Sequence, residues 1–513
     1  MEANDQKTMM EQKSAALEKK PSVADGVTSE PLDAADRVVI EREQFPLLAS
    51  MTAEQLTALE RRVRRKVDSR LLPTLLVLYI LNYLDRNTIA QAKLGGLQVD
   101  LGLTGSEYQT AVSIFYVGYI LFQIPSNIWL NKIGKPALYL MTCMAIWGAI
   151  SACSGAAQSY GGFLACRFLL GIFEAAFFPG CMYTLSTWYK REELGKRMAF
   201  FYCGSQLSGA FAGLISAGIV ENMDGVRGLE PWRWLFIIEG AMTVFAVPFA
   251  YFILPNFPST TRWLTKEERE MAVWRLHVDS NHAEWTRKED QITWAAFVML
   301  LQDWKNWILV AINYCTGASL SINTFFPAVL ATLGRSRTET LLLTTPPYLL
   351  SCITMFSICW SADHFRERFW HMTAPLLTAL TGFIVLGATT AFGARYFGAM
   401  IIIPGIYVSY NLSVIWQANT IYSPPAKRAG ALAMSNSLGN IAGLYTAYLF
   451  PDSAAPRYAL ALGVNAGMIF ISILLAAVLR FALARENRLI EKQEQEETVD
   501  GRLAHARGFR YVL

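Results

Sequence analysis

The run LLPTLLVLYILNYLDRNTIA, from Leu71 to Ala90, decides the fold, because its twenty residues include only two charges, Asp85 and Arg86. A helix of that length crosses roughly 30 Å of hydrocarbon, and it satisfies its own backbone hydrogen bonds where no water is at hand. Working outward, eleven further runs of this kind follow: Glu107 to Leu130, Pro136 to Cys153, Tyr160 to Tyr183, Arg197 to Ile219, Trp232 to Leu254, Trp307 to Leu330, Leu341 to Ala362, Trp370 to Ala391, Phe397 to Gln417, Gly430 to Phe450 and Tyr458 to Ala482. The pattern predicts an all-α integral membrane protein with twelve spans, numbered here in chain order. Of the 513 residues, 53% are apolar and 17% charged. The charges gather in the tails, around Pro255 to Lys305 and in short clusters between the runs, which tells against a soluble protein with buried helices.

The polar stretch after Pro255 divides the spans six and six. The expected plan is a cytoplasmic tail over 1–69, a six-helix bundle over 70–255, a cytoplasmic linker over 256–305, a second six-helix bundle over 306–483 and a cytoplasmic tail over 484–513. The first 50 residues are polar, lack the apolar core of a signal peptide and have the composition of a disordered segment. With the amino terminus inside, the short inner loops carry ten Lys and Arg against six in the outer loops, and the cluster Arg61, Arg62, Arg64, Arg65, Lys66 adds to the inner count. Both termini are therefore expected in the cytoplasm. The eight cysteines form no CxxC pair, so neither a disulfide framework nor a metal site is expected. The formal charge of +4 reports orientation here and gives no reason to expect nucleic acid.

An internal repeat supports the two halves. Setting Lys196-Arg197 against Lys427-Arg428 brings Gln206-Leu207 onto Ser437-Leu438, and nearly the same offset sets Asn131-Lys132 against Asp363-His364. Parallel repeats of this kind belong to transporters whose halves rock about a central site. In the linker, Trp263, Leu264, Met271, Ala272, Arg275 and Leu276 recur at helical spacing behind Thr265, a candidate N-cap. The segment reads either as an amphipathic helix on the inner membrane face or as a solvated connector.

Ionisable side chains inside spans cost a few kcal/mol or more each, so they face a cavity or a partner. Asp85 and Arg86 in span one, Arg167 and Glu174 in span four and Glu239 in span six need such a reason. Adjacent helical residues point about 100° apart, so Asp85 and Arg86 do not address the same target. Rise along the helices places Asp85, Arg86 and Arg167 about 10 Å below the outer surface, with Glu174 nearer the inner side. In a functional reading the arginines hold an anion and the carboxylates carry protons. In a structural reading the same groups are static ion pairs. For Arg167 and Glu239 the two readings weigh equally. Tyr83, Gln206, Asn436 and other polar residues, among them Asn82, Asn323, Gln417 and Asn440, serve either a pocket or interhelical hydrogen bonds. Nucleotide-binding motifs are absent from the sequence, so nucleotide-driven pumping has no support; no cofactor is expected, and a proton gradient suits carboxylates that carry protons.

These residues fall into motifs. Arg65-Lys66-Val67-Asp68 before Leu71-Leu72-Pro73, Leu81-Asn82-Tyr83-Leu84-Asp85-Arg86-Asn87, Gln123-Ile124-Pro125-Ser126-Asn127, Arg167-Phe168-Leu169-Leu170-Gly171 with Glu174, and Pro231-Trp232-Arg233-Trp234 through Glu239-Gly240 resemble the major facilitator superfamily. Within it the chain is similar to the fungal anion:cation symporter group, the allantoate permease-like carriers, and the likeness runs from about Glu60 to Phe509-Arg510-Tyr511. The resemblance implies a proton-coupled importer of a small carboxylated metabolite, an organic anion or vitamin. It implies substrate contact by Arg86 and Arg167 and proton coupling by Asp85 and Glu174. It also implies a monomer in the plasma membrane. The loop after span two, Asn131-Lys132-Ile133-Gly134-Lys135, lacks the acid the superfamily usually carries there, whereas Asp363 keeps one in the second half. Two other functions stay open, efflux of a secondary metabolite or drug by proton antiport and nutrient sensing without transport. No nucleophile, histidine and acid lie together in a pattern that suits an enzyme.

Overall fold

The computed structural model describes residues 45–281, 294–421, 425–496 and 510–512. The expectations for the amino-terminal tail up to residue 44, the middle of the linker (282–293) and the carboxy-terminal tail over 497–509 lie outside the described residues. The chain forms two units, Met1–Thr52 and Ala53–Leu513. The described part of the first holds one short helix, Pro46–Ala49. All that follows concerns the second.

Among the described residues every regular element is helical. Eleven helices are long and apolar enough to cross a membrane: Ala53–Leu94, Glu107–Leu130, Pro136–Ser154, Tyr160–Ser186, Glu193–Asn222, Pro231–Ile253, Trp304–Ala331, Arg337–His364, Phe369–Ala388, Phe392–Thr420 and Ala459–Lys492. They are spans one to ten and span twelve. Span eleven is the helix Pro425–Thr446. It is not among the eleven, and Ser435, Asn436, Ser437 and Asn440 make it more polar than its neighbours. Span one is much longer than its apolar core, since the basic residues before Leu71 continue the same helix from Ala53, so residues 53–69 of the expected tail are helical.

In the first half, span one packs on spans five and six, span three on four and six, and span two on four. In the second, span nine packs on ten and twelve, and span seven on eleven and twelve. The halves meet where span five lies against eight, two against eleven, and the second part of seven against one. This is the two-bundle arrangement expected from the repeat. Tyrosine rings set in glycine notches mark the contact on both sides. A Cβ at Gly443 would stand 2.7 Å from the Tyr116 ring, and one at Gly209 would stand 2.6 Å from the Tyr348 ring. The offset that sets Asn131 against Asp363 also sets Tyr116 against Tyr348, so the repeat survives as packing.

The linker helix Lys266–Asn281 settles the choice left open above. It starts with a capping box, in which Glu268 N donates to Thr265 Oγ1 at 3.2 Å and Thr265 N donates to Glu268 Oε2 at 3.1 Å. Its apolar face, with Leu264, Met271 and Ala272 buried, packs on the basic extension of span one, so protein and not lipid covers it. Lys66 bonds Glu268 at 2.5 Å, Arg275 pairs with Glu193, and Trp263 stacks on Trp188 with ring centroids 6.0 Å apart.

Candidate substrate site

Between the halves lies a cavity of about 1120 Å³ of empty space, its mouth included. Span one faces it with Tyr79, Asn82, Tyr83 and Arg86, which recur at three- and four-residue steps and so form one stripe of the helix. Tyr116 and Tyr119 come from span two, Phe178 from span four and Tyr202 from span five. The second half contributes Ser321, Asn323 and Phe325 from span seven, Tyr407 and Tyr410 from span ten, and Asn436 and Asn440 from span eleven.

Arg86 is the charged residue of this lining. Its Nε donates to Glu174 Oε1 at 2.6 Å, and Nη2 lies at the same distance from that oxygen in the ion pair. Rings enclose the guanidinium, whose carbon lies 4.9 Å from the Tyr83 centroid, 5.1 Å from that of Phe115 and 5.0 Å from that of Tyr119. Each contact of this kind contributes about 0.5–2 kcal/mol, the larger value where water is excluded. Glu174 is itself fully buried, stands behind Arg86 and ends the first helical piece of span four. Close packing of spans two and four brings the group together. A Cβ at Gly171 would stand 2.1 Å from the Phe115 carbonyl oxygen, and one at Gly118 would stand 2.4 Å from that of Phe168. Only glycine permits two backbones this close.

Asp85 turns the other way, as the angular step along span one requires. It accepts from Ser151 Oγ at 2.8 Å, Trp147 Nε1 at 3.2 Å and Thr243 Oγ1 at 2.6 Å, which joins span one to spans three and six. Glu239 lies in the same buried layer. It accepts from the Thr88 hydroxyl, and its Oε1 has no partner among the described residues.

Of the residues expected at the solute, Arg86, Tyr83 and Asn436 line the cavity, and Arg167 and Gln206 do not. Arg167 is 2% exposed, donates weakly to the Ala111 carbonyl at 3.4 Å and lies 5.2 Å from the Phe115 centroid. Gln206 is wholly buried, with neither side-chain atom bonded among the described residues. The expected depths also need correcting. Arg86 meets Glu174 and not Arg167, because span one continues past Ala90 to Leu94 and sets Arg86 deeper, and because the guanidinium reaches inward along its helix. Gln417 serves the interhelical alternative, accepting from Asn313 Nδ2 at 3.0 Å and donating to Asn306 at 3.3 Å. Sequence reasoning missed Phe115 and most of the tyrosines. The stepwise spacing of Tyr79, Tyr83 and Arg86 was a usable signal, whereas a phenylalanine within an apolar run gives none.

The profile of the Major Facilitator Superfamily matches residues 75–447. The MFS-type transporter efuF of Hormonema carpetanum is 33% identical over 419 residues, which span 80% of this chain and 83% of that protein. The major facilitator-type transporter hxnP of Emericella nidulans is 33% identical over 456 residues, 87% of this chain and 90% of its own. Among solved structures, the proton:xylose symporter XylE bound to 6-bromo-6-deoxy-D-glucose is similar with a TM-score of 0.63 at 15% identity, over 79% of this chain and 95% of that one. At that identity the likeness concerns the fold alone.

Proposed function

The chain belongs to the major facilitator superfamily, and from that premise we propose that this multi-pass membrane transporter carries a small carboxylated metabolite into the cell together with a proton. The observation that carries the reading is Arg86, a cation open to the cavity whose acid partner, Glu174, stands behind it. Protonation of Glu174 removes the charge that competes for the guanidinium, so that a carboxylate binds as the proton arrives. When the solute leaves, Glu174 takes Arg86 back and gives up its proton. Tyr83 and Asn436 hold the solute beside Arg86. Arg167 and Gln206 reach it only in another arrangement of the halves. Asp85 is the second coupling acid, and its bonds to spans three and six link its proton to their packing.

In this reading the protein belongs with the allantoate permease-like carriers and is a monomer of the plasma membrane with both termini in the cytoplasm. The proton gradient drives it. The test is uptake of labelled small carboxylates by proteoliposomes holding the purified protein. Uptake should rise with an acid exterior, collapse with a protonophore and vanish in Arg86→Ala at equal protein content. Uptake indifferent to the gradient would overturn the coupling, and uptake undiminished in Arg86→Ala would overturn the site.

A further inference from the structure

Resting on the anion reading, we infer that the solute is a monocarboxylate built on a flat aromatic ring that also carries a neutral hydrogen-bonding group. Three observations lead there. The first is charge. Arg86 is the one charged side chain among the described residues of the lining, and those of the second half contribute none. A single carboxylate meets a single guanidinium once Glu174 is neutral. A second carboxylate, or a phosphate, would lie in the cavity with no cation to replace its water, which is costly.

The second is the wall. Seven tyrosines line the cavity, and they come from both halves, with Phe178 and Phe325 beside them. Three of the rings about Arg86 already present their faces to a cation. Rings on both sides of a slot hold another ring by offset or edge contact, at about 0.5–1.5 kcal/mol for each pair beyond the area buried. A flexible aliphatic acid gains the burial without that term and loses more rotamer freedom.

The third is the set of amides from the second half. Asn323, Asn436 and Asn440 face the cavity from spans seven and eleven. Asn323 Oδ1 accepts from the Tyr348 hydroxyl, and Asn440 Nδ2 donates to the Asn436 carbonyl at 2.8 Å. Among the described residues the side-chain amide donors of Asn323 and Asn436 make no bond and so remain for a solute, and Ser321 Oγ, also in the lining, is buried without a partner there. An amide or ring nitrogen on the solute satisfies these groups, whereas an apolar end leaves them unpaired.

The test measures dissociation constants of the purified full-length protein for five probes of similar outline: benzoate, para-carbamoylbenzoate, cyclohexanecarboxylate, terephthalate and neutral benzamide. Para-carbamoylbenzoate should bind tightest. Saturating the ring, from benzoate to cyclohexanecarboxylate, should weaken binding about tenfold, the loss of two ring contacts. Exchanging the amide for a carboxylate, as in terephthalate, should weaken it about tenfold or more. Asn436→Ala should weaken para-carbamoylbenzoate more than benzoate and so erase the advantage of the first over the second. Equal binding of benzoate and its saturated analogue overturns the aromatic slot, and equal binding of terephthalate and the amide overturns the charge count. If aliphatic carboxylates bind in an Arg86-dependent way with no preference for a ring, this inference fails while the anion reading stands. If neutral benzamide binds and no carboxylate does, or if none of the probes binds, both fail.

Discussion

Arg86 turns both Nε and Nη2 to one oxygen of Glu174, donating from Nε, and Glu174 Oε2 has no partner among the described residues. The guanidinium fork matches two carboxylate oxygens side by side, so this pairing leaves its best geometry unused. An incoming carboxylate that takes both oxygens into the fork outcompetes Glu174 as soon as Glu174 is protonated. Arg86→Lys keeps the charge and loses the fork. It should raise the solute KM about tenfold, the scale of one lost charge-assisted hydrogen bond, while Arg86→Ala abolishes uptake. Glu174→Gln should keep exchange of labelled for unlabelled solute and lose accumulation driven by the proton gradient. Counterflow and net-uptake assays on the same vesicles separate the two.

Phe115 lies 5.1 Å from Arg86 and 5.2 Å from Arg167, so one ring serves two cations. Replacing it by leucine preserves an apolar side chain at a fully buried site and removes both electrostatic contacts. Phe115→Leu should raise KM several-fold, in line with about 0.5–2 kcal/mol for each lost contact, with a smaller effect on thermal stability. A fall in Tm with KM unchanged would assign the ring to packing alone.

Why the spans were legible and Phe115 was not has a physical basis. Length and the absence of charge are all the bilayer requires of a helix, and both are visible residue by residue in a run such as Leu71 to Ala90. The separation of Asp85 from Arg86 was legible too, because it follows from the angular step of one helix. The partner of Arg86 was not, since it depends on where span one ends and on how closely spans two and four approach at Gly118 and Gly171. Phe115 resembles a lipid-facing residue until the neighbouring helix is known. The aromatic cavity wall needs four spans of the first half and two of the second to be placed before its rings line one space.

Gly443 and Gly209 hold the rings of Tyr116 and Tyr348 at two of the contacts between the halves. Rocking requires these surfaces to slide, and a side chain in either notch blocks the approach. Gly443→Val should leave solute binding within a few-fold of normal and slow turnover strongly, which measurement of Kd beside the rate of uptake distinguishes. Shrinking the ring in the double variant Gly443→Val with Tyr116→Ser should restore part of the turnover, because it reopens the space the valine fills. Failure of the second change to restore anything would show that the notch is not where movement is blocked.

Lys93, in the last turn of span one, bonds Asp452, which lies between spans eleven and twelve, and Gln98 Nε2 donates to the other carboxylate oxygen at 2.9 Å. This latch ties the first half to the second at the end of the molecule where span one finishes. Burial pushes the Asp452 carboxyl up, but the hydrogen bonds from Lys93 and Gln98 and the lysine charge outweigh it and hold the group below its usual range. A carboxyl lowered in the folded state adds its full contribution above the ordinary carboxylate value and loses it only as the pH falls through the lowered one. Between about pH 5.5 and 7.5 the latch therefore keeps its charge, so the acid stimulation that the proposed proton coupling predicts is not expected to arise there. Asp452→Asn should change the uptake rate by the same factor at both ends of that interval, because a weaker latch alters how readily the halves part and not which group takes the proton. The measurement is the pH profile of initial uptake in vesicles holding either protein. Parallel profiles are expected, and a profile flattened by Asp452→Asn would move the proton sensor from the Arg86 site to the latch.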